Sequence, residues 1–215
     1  MGVMDGLGST AALILGVQGA DGGQAVSLLA GTLAGVSGAL SMGVSEYVSV
    51  SSQRDAQQAD IAAEASEQEK GPAARARELT ELAGIYEQRG VDRDTALQVA
   101  VQLSQRNVVD AHARDEHLID PEKLVSPSMA AISGCCSFLL GAAIPVLSTA
   151  FLSSAKARAI SCVVVTLMSF AMAGAIAAKL GGAIPWVVSG RLLVGGAVEL
   201  GVTFGIGVAL GGLQH

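Results

Sequence analysis

Residues 31–72 read GTLAGVSGALSMGVSEYVSVSSQRDAQQADIAAEASEQEKGP and pass from an apolar segment into a charged one with no proline between the two. The apolar part predicts a membrane-spanning helix, because a bilayer core of about 30 Å requires roughly 20 apolar residues. The charged part predicts that this helix continues into water until Gly71 and Pro72 end it. The fold therefore combines membrane helices with a water-exposed helical segment.

The composition of the whole chain also indicates a membrane protein. Hydrophobic residues make up 51% of its 215 residues and charged residues only 15%, and the mean hydropathy is +0.51, which is too apolar for an ordinary soluble domain. Nine of the 13 Lys and Arg and 15 of the 19 Asp and Glu lie between Arg54 and Lys123. The net charge of -6 comes almost wholly from this segment, so cations are its natural ligands and nucleic acid is not an expected partner.

Five apolar segments are long enough to cross the lipid bilayer. They lie near residues 2–20, 25–48, 129–150, 158–179 and 187–212. Between the second and third segments, amphipathic patterns predict three soluble helices: Pro72 opens the second, Gly90 ends it, and Asp92 caps the third. The predicted fold is all-α, a polytopic membrane protein with five transmembrane helices and a three-helix insert between helices 2 and 3.

Basic residues near the span ends favour a cytosolic insert. Arg54 and Lys123 flank the insert, whereas Lys156 and Arg158 lie in the next short loop. This orientation also places the N-terminus in the cytosol and the C-terminus on the opposite side. The predicted domains are transmembrane helices 1 and 2 in residues 1–49, an acidic cytosolic metal-binding domain in 50–127, and transmembrane helices 3 to 5 in 128–215.

Three acidic residues fall inside predicted spans, where a charged side chain costs at least about 2.5 kcal/mol. They are Asp5, Glu46 and Glu199. Met42 lies four residues before Glu46 and shares its helix face, so a thioether and a carboxylate could meet Asp5 of the first span. Oxygen ligands bind divalent cations in general, whereas a thioether favours softer ions such as Fe²⁺ over Mg²⁺ and Ca²⁺. Glu199 is a candidate proton or ion site.

Structural interpretations of these residues stay open at this point. Met42 could be a packing methionine and Glu46 could lie at the membrane interface. Asp5 is close to the chain end and could reach water, while Glu199 could pair with Arg191 two helical turns away.

The insert contains three pairs of metal-binding residue types at spacings that share a helix face. The pairs are Glu64 with Glu67, Glu78 with Glu81, and His112 with Glu116. Such pairs can converge on a metal ion, but acidic residues on soluble helices are more often solvated, and nearby arginines could neutralise them.

Longer motifs in the chain resemble those of a known family. They are MDGL at residues 4–7, SMG at 41–43, EYVSV at 46–50, EL at 78–79, IY at 85–86, RG at 89–90, AHARDE at 111–116, SF at 137–138 and IP at 144–145. Together they are similar to the motifs of the vacuolar iron transporter family. The similarity extends over nearly the whole chain.

This resemblance implies a homodimer of five-span subunits that exports Fe²⁺, and often Mn²⁺, from the cytosol in exchange for protons. Such a protein is not an enzyme and uses no cofactor, since the divalent metal is both substrate and ligand. The resemblance assigns Asp5 and Met42 to the transport path, which Glu46 adjoins. It assigns metal binding in the insert to a set of four glutamates, Glu67, Glu78, Glu81 and Glu116.

Two positions depart from the family pattern. His112 stands where some members carry methionine, and its nitrogen is an acceptable ligand for Fe²⁺. Lys70 stands where another glutamate is frequent, and it adds a repelling charge. We therefore expect a smaller or weaker cluster that includes His112.

The leading hypothesis is a proton-coupled exporter of Fe²⁺, with Mn²⁺ as a further substrate. It would lie in the bacterial plasma membrane, or in the vacuolar membrane of a eukaryote, with the lipid bilayer, a second copy and divalent metal ions as partners. A membrane metal sensor or scaffold that does not transport, and a transporter of another cation, are the alternatives.

Overall fold

The computed structural model describes residues 2–213, which form seven α-helices and one 3-10 turn. The helices are α1 (Gly2–Gly19), α2 (Gln24–Glu69), α3 (Pro72–Gln88), α4 (Arg93–Asp115), α5 (Pro127–Ala150), α6 (Ala155–Leu180) and α7 (Pro185–Gly211), and the 3-10 turn is Pro121–Lys123. The predicted all-α class is confirmed.

Four of the described helices, α2, α5, α6 and α7, are long and apolar enough to cross a membrane by length and composition. The remaining predicted span corresponds to α1, an 18-residue helix that contains Asp5 and is not one of those four. The five-span count therefore stays a prediction.

The chain divides into two compact units, with one boundary inside α2 and the other near the start of α5. We call the first, Met1–Glu46 with Ala130–His215, the apolar unit, and the second, Tyr47–Met129, the charged unit.

Helix α1 supplies much of the core of the apolar unit. Ala11, Ile14 and Leu15 are at most 2% exposed, and they form one cluster with Cys162 of α6 and Leu200 of α7. Helix α1 accordingly contacts both α6 and α7. Other helices therefore cover most of α1, while Asp5 and Leu13 lie on an exposed stripe of it.

Glycines bring the helices of the apolar unit into backbone contact. A Cβ added at Gly141 of α5 would collide with the main-chain oxygen of Val3, and one added at Gly207 of α7 would collide with that of Gly16. Close approach through small residues is how helices associate in a membrane, where burial of apolar side chains provides little drive.

In the charged unit, α3 and α4 pack through small side chains. Leu82 and Ala83 of α3 form a buried cluster with Ala96, Ala100 and Ala111 of α4. Alanine has the highest helix propensity and permits close helix packing. These residues form the apolar core of this unit.

The helix ends in the charged unit lie where the turn residues predict them. Gly71 precedes α3 with φ 107°, Pro72 opens the helix, and Gly90 follows it with φ 94°. The Asp92 side chain caps α4 by accepting hydrogen bonds from the backbone N–H groups of Asp94 and Thr95. Glycine adopts these positive φ values without steric cost.

Helix α4 is broken at Asn107, although the sequence predicts one continuous helix. Asn107 has extended backbone angles, φ -163° and ψ 103°. Its side-chain Oδ1 accepts a 3.2 Å hydrogen bond from the N–H of Asp110, as an N-cap does. Helix α4 therefore has a first segment, residues 93–106, and a second segment, residues 108–115, that begins with its own cap.

We expect Gly207→Ala to destabilise the apolar unit, because the new methyl group meets the main chain of Gly16, which cannot move aside freely. Overpacking of this kind costs about 1–3 kcal/mol. Gly205→Ala is the matched control, since a Cβ there meets nothing within 4 Å. Thermal unfolding of the purified protein in detergent measures both, and equal midpoints for the two variants would contradict the proposed contact.

The Asp92 cap predicts a pH dependence of stability. Hydrogen bonds from the Thr95 side chain and backbone lower the pKa of Asp92 below its ordinary value of 3.8. A lowered folded-state pKa gives stability that is present above the ordinary value and is lost as pH falls through the folded-state pKa. Asp92→Asn, which keeps the acceptor oxygen, should reduce this acid loss, whereas Asp94→Asn should not. Thermal unfolding of the three proteins below about pH 5 tests this.

Candidate metal centre

A buried histidine lies at the centre of the charged unit's acidic residues. The Nδ1 atom of His112 lies 3.3 Å from Glu116 Oε2, 3.6 Å from Glu64 Oε1 and 4.0 Å from Glu78 Oε2. His112 is fully buried, and Glu64 and Glu78 are less than 10% exposed. We call these four residues the His112 cluster.

Three different helices supply the members of the His112 cluster. Glu64 comes from α2, Glu78 from α3, and His112 and Glu116 from the second segment of α4 and its C-terminal end. His112 and Glu116 are four residues apart and share one helix face. One ligand atom from each of Glu64, His112 and Glu116 lies within 4.8 Å of the other two, so these three members of the cluster have the donors and the spacing to hold a metal ion.

The cluster carries excess negative charge. Burial raises the pKa of Glu78, and the charges of Glu64 and Glu81 raise it further, while His112 opposes them. Even a protonated imidazole would balance only one of the three carboxylates in the cluster. A divalent cation would supply the missing positive charge and fill the carboxylate lone pairs.

The two ring nitrogens of His112 have different surroundings. Its Nε2 atom is buried and has no hydrogen-bond partner among the described residues, which is uncommon for a buried polar atom. Its other nitrogen, Nδ1, faces the carboxylates. Nδ1 is therefore the nitrogen placed to share a metal ion with the carboxylates, since a neutral imidazole nitrogen and ionised carboxylates are metal donors.

Of the five residues predicted for this centre, the structure places Glu78, His112 and Glu116 together. Glu67 instead forms ion pairs with Lys70 and with Arg77, the latter at 3.6 Å. The hydrogen bond from Lys70 lowers the pKa of Glu67. Lys70 therefore neutralises a neighbouring carboxylate on α2.

Glu81, the fifth predicted residue, is exposed one turn along α3 from Glu78. It acts on Glu78 through its charge. Glu81 thus belongs to the electrostatic surroundings of the His112 cluster and is not among the carboxylates close to the ring.

Glu64 is the member of the cluster that the predicted set lacked. The spacing of three residues between Glu64 and Glu67 marks both as candidates, and the rotation of α2 decides which of them faces His112. Gln68, four residues after Glu64, donates a 3.3 Å hydrogen bond to Glu64 Oε1. The sequence signal that indicates Glu64 is the spacing of four residues between Glu64 and Gln68, which places two polar side chains on one face of α2.

The candidate residues of the apolar unit lie around the start of α1. A Cβ at Gly2 would lie 3.2 Å from the sulfur of Met42, which places the thioether against the first turn of α1. A Cβ at Gly134 of α5 would lie 3.0 Å from Cγ of Glu46 and 3.5 Å from Cγ of Met42. Met42 and Glu46 therefore share a contact on α5.

The two other acidic candidates are both associated with α1. Asp5 lies three residues after Gly2 and its side chain is exposed. Glu199 of α7 faces the next turn, where its Oε2 would lie 2.7 Å from a Cβ at Gly8. Helix α1 thus has a thioether beside its first residue and a carboxylate beside its seventh, with Asp5 between them in sequence.

Comparison with known proteins gives consistent matches over most of the chain. The model of the VIT family matches residues 1–208. The chain is 37% identical over 189 residues to the vacuolar iron transporter of Acanthamoeba castellanii, a match that covers 87% of this chain and 71% of that protein.

Two plant proteins are similar over still more of the chain. It is 30% identical over 211 residues to vacuolar iron transporter homolog 2 of Arabidopsis thaliana, covering 98% of this chain and 82% of that protein. It is 31% identical over 206 residues to vacuolar iron transporter homolog 1 of Oryza sativa subsp. japonica, covering 96% and 69%. The matches extend through both units.

The different surroundings of Glu64 and Glu67 give a prediction. Glu64→Gln should weaken Mn²⁺ binding by the purified protein, because it removes a buried carboxylate 3.6 Å from His112. The expected loss is at least about tenfold, the size seen when even an outer-shell partner is removed. Glu67→Gln, the matched control, should change the affinity little, since Lys70 already neutralises that carboxylate. Titration calorimetry measures both, and a larger loss for Glu67→Gln would contradict the cluster.

Proposed function

The chain belongs to the VIT family, and from this premise we propose that it is a proton-coupled transporter that exports Fe²⁺, and also Mn²⁺, from the cytosol. Members of this family are transporters and not enzymes. The chain is an integral membrane protein, in accord with its four long apolar helices. The direction, the coupling to protons and the choice of metal are our proposal.

The proposed layout includes α1 as a fifth span. Its 18 residues give a length of about 27 Å at 1.5 Å per residue, close to the thickness of a bilayer core. In this layout residues 1–49 and 128–215 supply the spans, residues 50–127 form a cytosolic metal-binding domain, and two copies form a homodimer. The protein would reside in a bacterial plasma membrane, or in the vacuolar membrane if its source is a eukaryote.

The observation that carries this proposal is the His112 cluster. Its donors are three carboxylates and one imidazole, two ligand types that Mn²⁺ and Fe²⁺ both accept. Ionised carboxylates without enough positive charge are costly to bury, so binding of a dication would relieve this cost. In the proposed function the cluster captures the metal on the cytosolic side.

The proposed path through the membrane uses Asp5 and Met42, with Glu46 beside Met42. Met42 contacts Gly2 at the start of α1, and Asp5 lies three residues further along that helix. A deprotonated carboxylate binds metal and a protonated one does not. Protonation of Asp5 from the acidic side would therefore release the metal there, and Glu199 beside α1 is a second candidate for the coupled proton.

Transport by reconstituted protein tests this function. We expect Fe²⁺ and Mn²⁺ to enter liposomes with an acidic interior, reported by an internal metal-sensitive dye, and the outer solution to acidify as protons leave. Asp5→Asn should reduce the flux at least about tenfold, because it removes the charge but keeps the side-chain size. Asp21→Asn is the matched control: Asp21 follows α1 at φ 58°, a conformation that asparagine tolerates.

Three other outcomes would contradict parts of this proposal. A metal flux that does not change with the imposed pH gradient would refute proton coupling. If the wild-type protein binds metal but transports none into the liposomes, the result would favour a membrane metal sensor or scaffold. Flux of an organic cation that is independent of Fe²⁺ would establish transport of another substrate.

A further inference from the structure

The second segment of α4 contains His112 and ends next to Glu116, but its direction is not set by the first segment. The break at Asn107 interrupts the helix between the two, with φ -163° and ψ 103°. A short helical segment after such a break can turn relative to the preceding one unless tertiary contacts hold it. The orientation of His112 therefore depends on contacts made beyond Asn107.

Such contacts occur at Asp115, the last residue of α4. The hydroxyl group of Tyr86 donates a 2.7 Å hydrogen bond to Asp115 Oδ2, and Arg89 Nη1 donates one of 3.1 Å to Oδ1. Arg89 Nη2 also donates a 3.3 Å hydrogen bond to the main-chain oxygen of Asp115. Both carboxylate oxygens and the backbone of Asp115 thus accept hydrogen bonds from the last turn of α3 and its C-cap residue, Arg89, and we call this arrangement the Asp115 clamp.

Tyr86 and Arg89 also support each other. The Arg89 guanidinium lies 5.4 Å from the centroid of the Tyr86 ring, within the range of a cation–π contact. Burial, together with the hydrogen bond to Asp115, raises the pKa of Tyr86 to about 12. Tyr86 therefore remains a hydrogen-bond donor at neutral pH, and charge-assisted bonds of this kind are stronger than those between neutral groups.

The Asp115 clamp and the metal ligands share both helices. On the second segment of α4, Asp115 lies three residues after His112 and directly precedes Glu116. On α3, Tyr86 lies eight residues, or about two turns, after Glu78. Leu82, midway between those two, is fully buried and packs in one cluster with Ala111. Glu78, Leu82 and Tyr86 thus lie along α3 at intervals of four residues. They provide the second segment of α4 with a neighbouring metal ligand, a packing contact and a clamp residue, respectively.

We propose that Tyr86 and Arg89 are positioning residues of the metal centre. Through Asp115 they hold residues 108–115 in the orientation that directs His112 and Glu116 toward Glu64 and Glu78. This inference rests on the proposed metal binding by the His112 cluster. A metal ion accepts its ligands only within narrow distance limits, so freedom of the segment lowers affinity although no ligand is lost.

The test uses the full-length protein in detergent with Mn²⁺ as the probe. Tyr86→Phe removes the hydroxyl group and keeps the ring beneath Arg89. We expect its Mn²⁺ dissociation constant to rise about tenfold to hundredfold, the range for residues that orient metal ligands. We also expect broadening of the electron paramagnetic resonance lines of bound Mn²⁺, which report ligand geometry and would not respond to a general loss of stability.

The matched control is Arg114→Gln on the same segment. Arg114 forms ion pairs with Asp110 at 3.0 Å and Asp120 at 2.9 Å, neither of which lies on α3. Its removal should leave the dissociation constant within about twofold. Because Tyr86 acts through Asp115, the double variant Tyr86→Phe with Asp115→Ala should bind Mn²⁺ no more weakly than Asp115→Ala alone.

The outcomes separate this inference from the function on which it rests. Wild-type protein that binds no Mn²⁺ would refute metal binding and the positioning role together. If wild-type protein binds Mn²⁺, an unchanged dissociation constant and spectrum in Tyr86→Phe would refute the positioning role alone, even if that variant unfolds at a lower temperature. Equal weakening by Arg114→Gln would refute it as well.

Discussion

The structure of the charged unit depends on the close approach of three carboxylates to one buried imidazole. Glu64, Glu78 and Glu116 all lie within 4.0 Å of His112 Nδ1, and a single ring cannot balance their charges. Such an arrangement is unfavourable unless a cation or protons are present. The other features of this unit make the approach geometrically feasible: the extension of α2 beyond its apolar part, the alanine contacts between α3 and α4, and the break at Asn107.

The apolar unit follows a different physical rule. Large apolar side chains such as Leu29, Leu33 and Leu40 of α2 are about 60% exposed, as expected of a helix that faces lipid. Its close helix contacts instead involve glycines such as Gly141 and Gly207. In lipid, apolar side chains gain little from burial, so close backbone packing provides the association.

Much of the fold could be predicted from local chemistry, because periodicity and turn residues are properties of short segments. Gly71 with Pro72, Gly90 and Asp92 mark helix ends through backbone conformations and capping bonds that need no tertiary partner. The break at Asn107 could not be predicted in this way. Asparagine is only mildly unfavourable within a helix, and the contacts that accompany the break, those of Asp115 with α3, join residues 26 or more positions apart.

The candidate metal centre shows the same limit. Helical spacing marks the pair His112 and Glu116, and the pair Glu78 and Glu81, as candidates. The resemblance implies Glu67 as a metal ligand, whereas Glu64 is the carboxylate of α2 that lies beside His112; helical spacing does not distinguish them, because both lie on α2 and differ by less than one turn. Only the rotation of α2 against α4 separates a buried carboxylate from one that pairs with Lys70 and Arg77.

In the proposed mechanism the two units have different ligand chemistry, and this difference assigns them different tasks. Carboxylates and an imidazole bind many divalent ions, so the His112 cluster favours capture over discrimination. The thioether of Met42, against Gly2 of α1, is a poor ligand for Mg²⁺ and Ca²⁺ but acceptable to softer ions. A path that requires Met42 would therefore select among the ions that the charged unit has gathered, and we infer that selectivity resides with Met42 and affinity with His112.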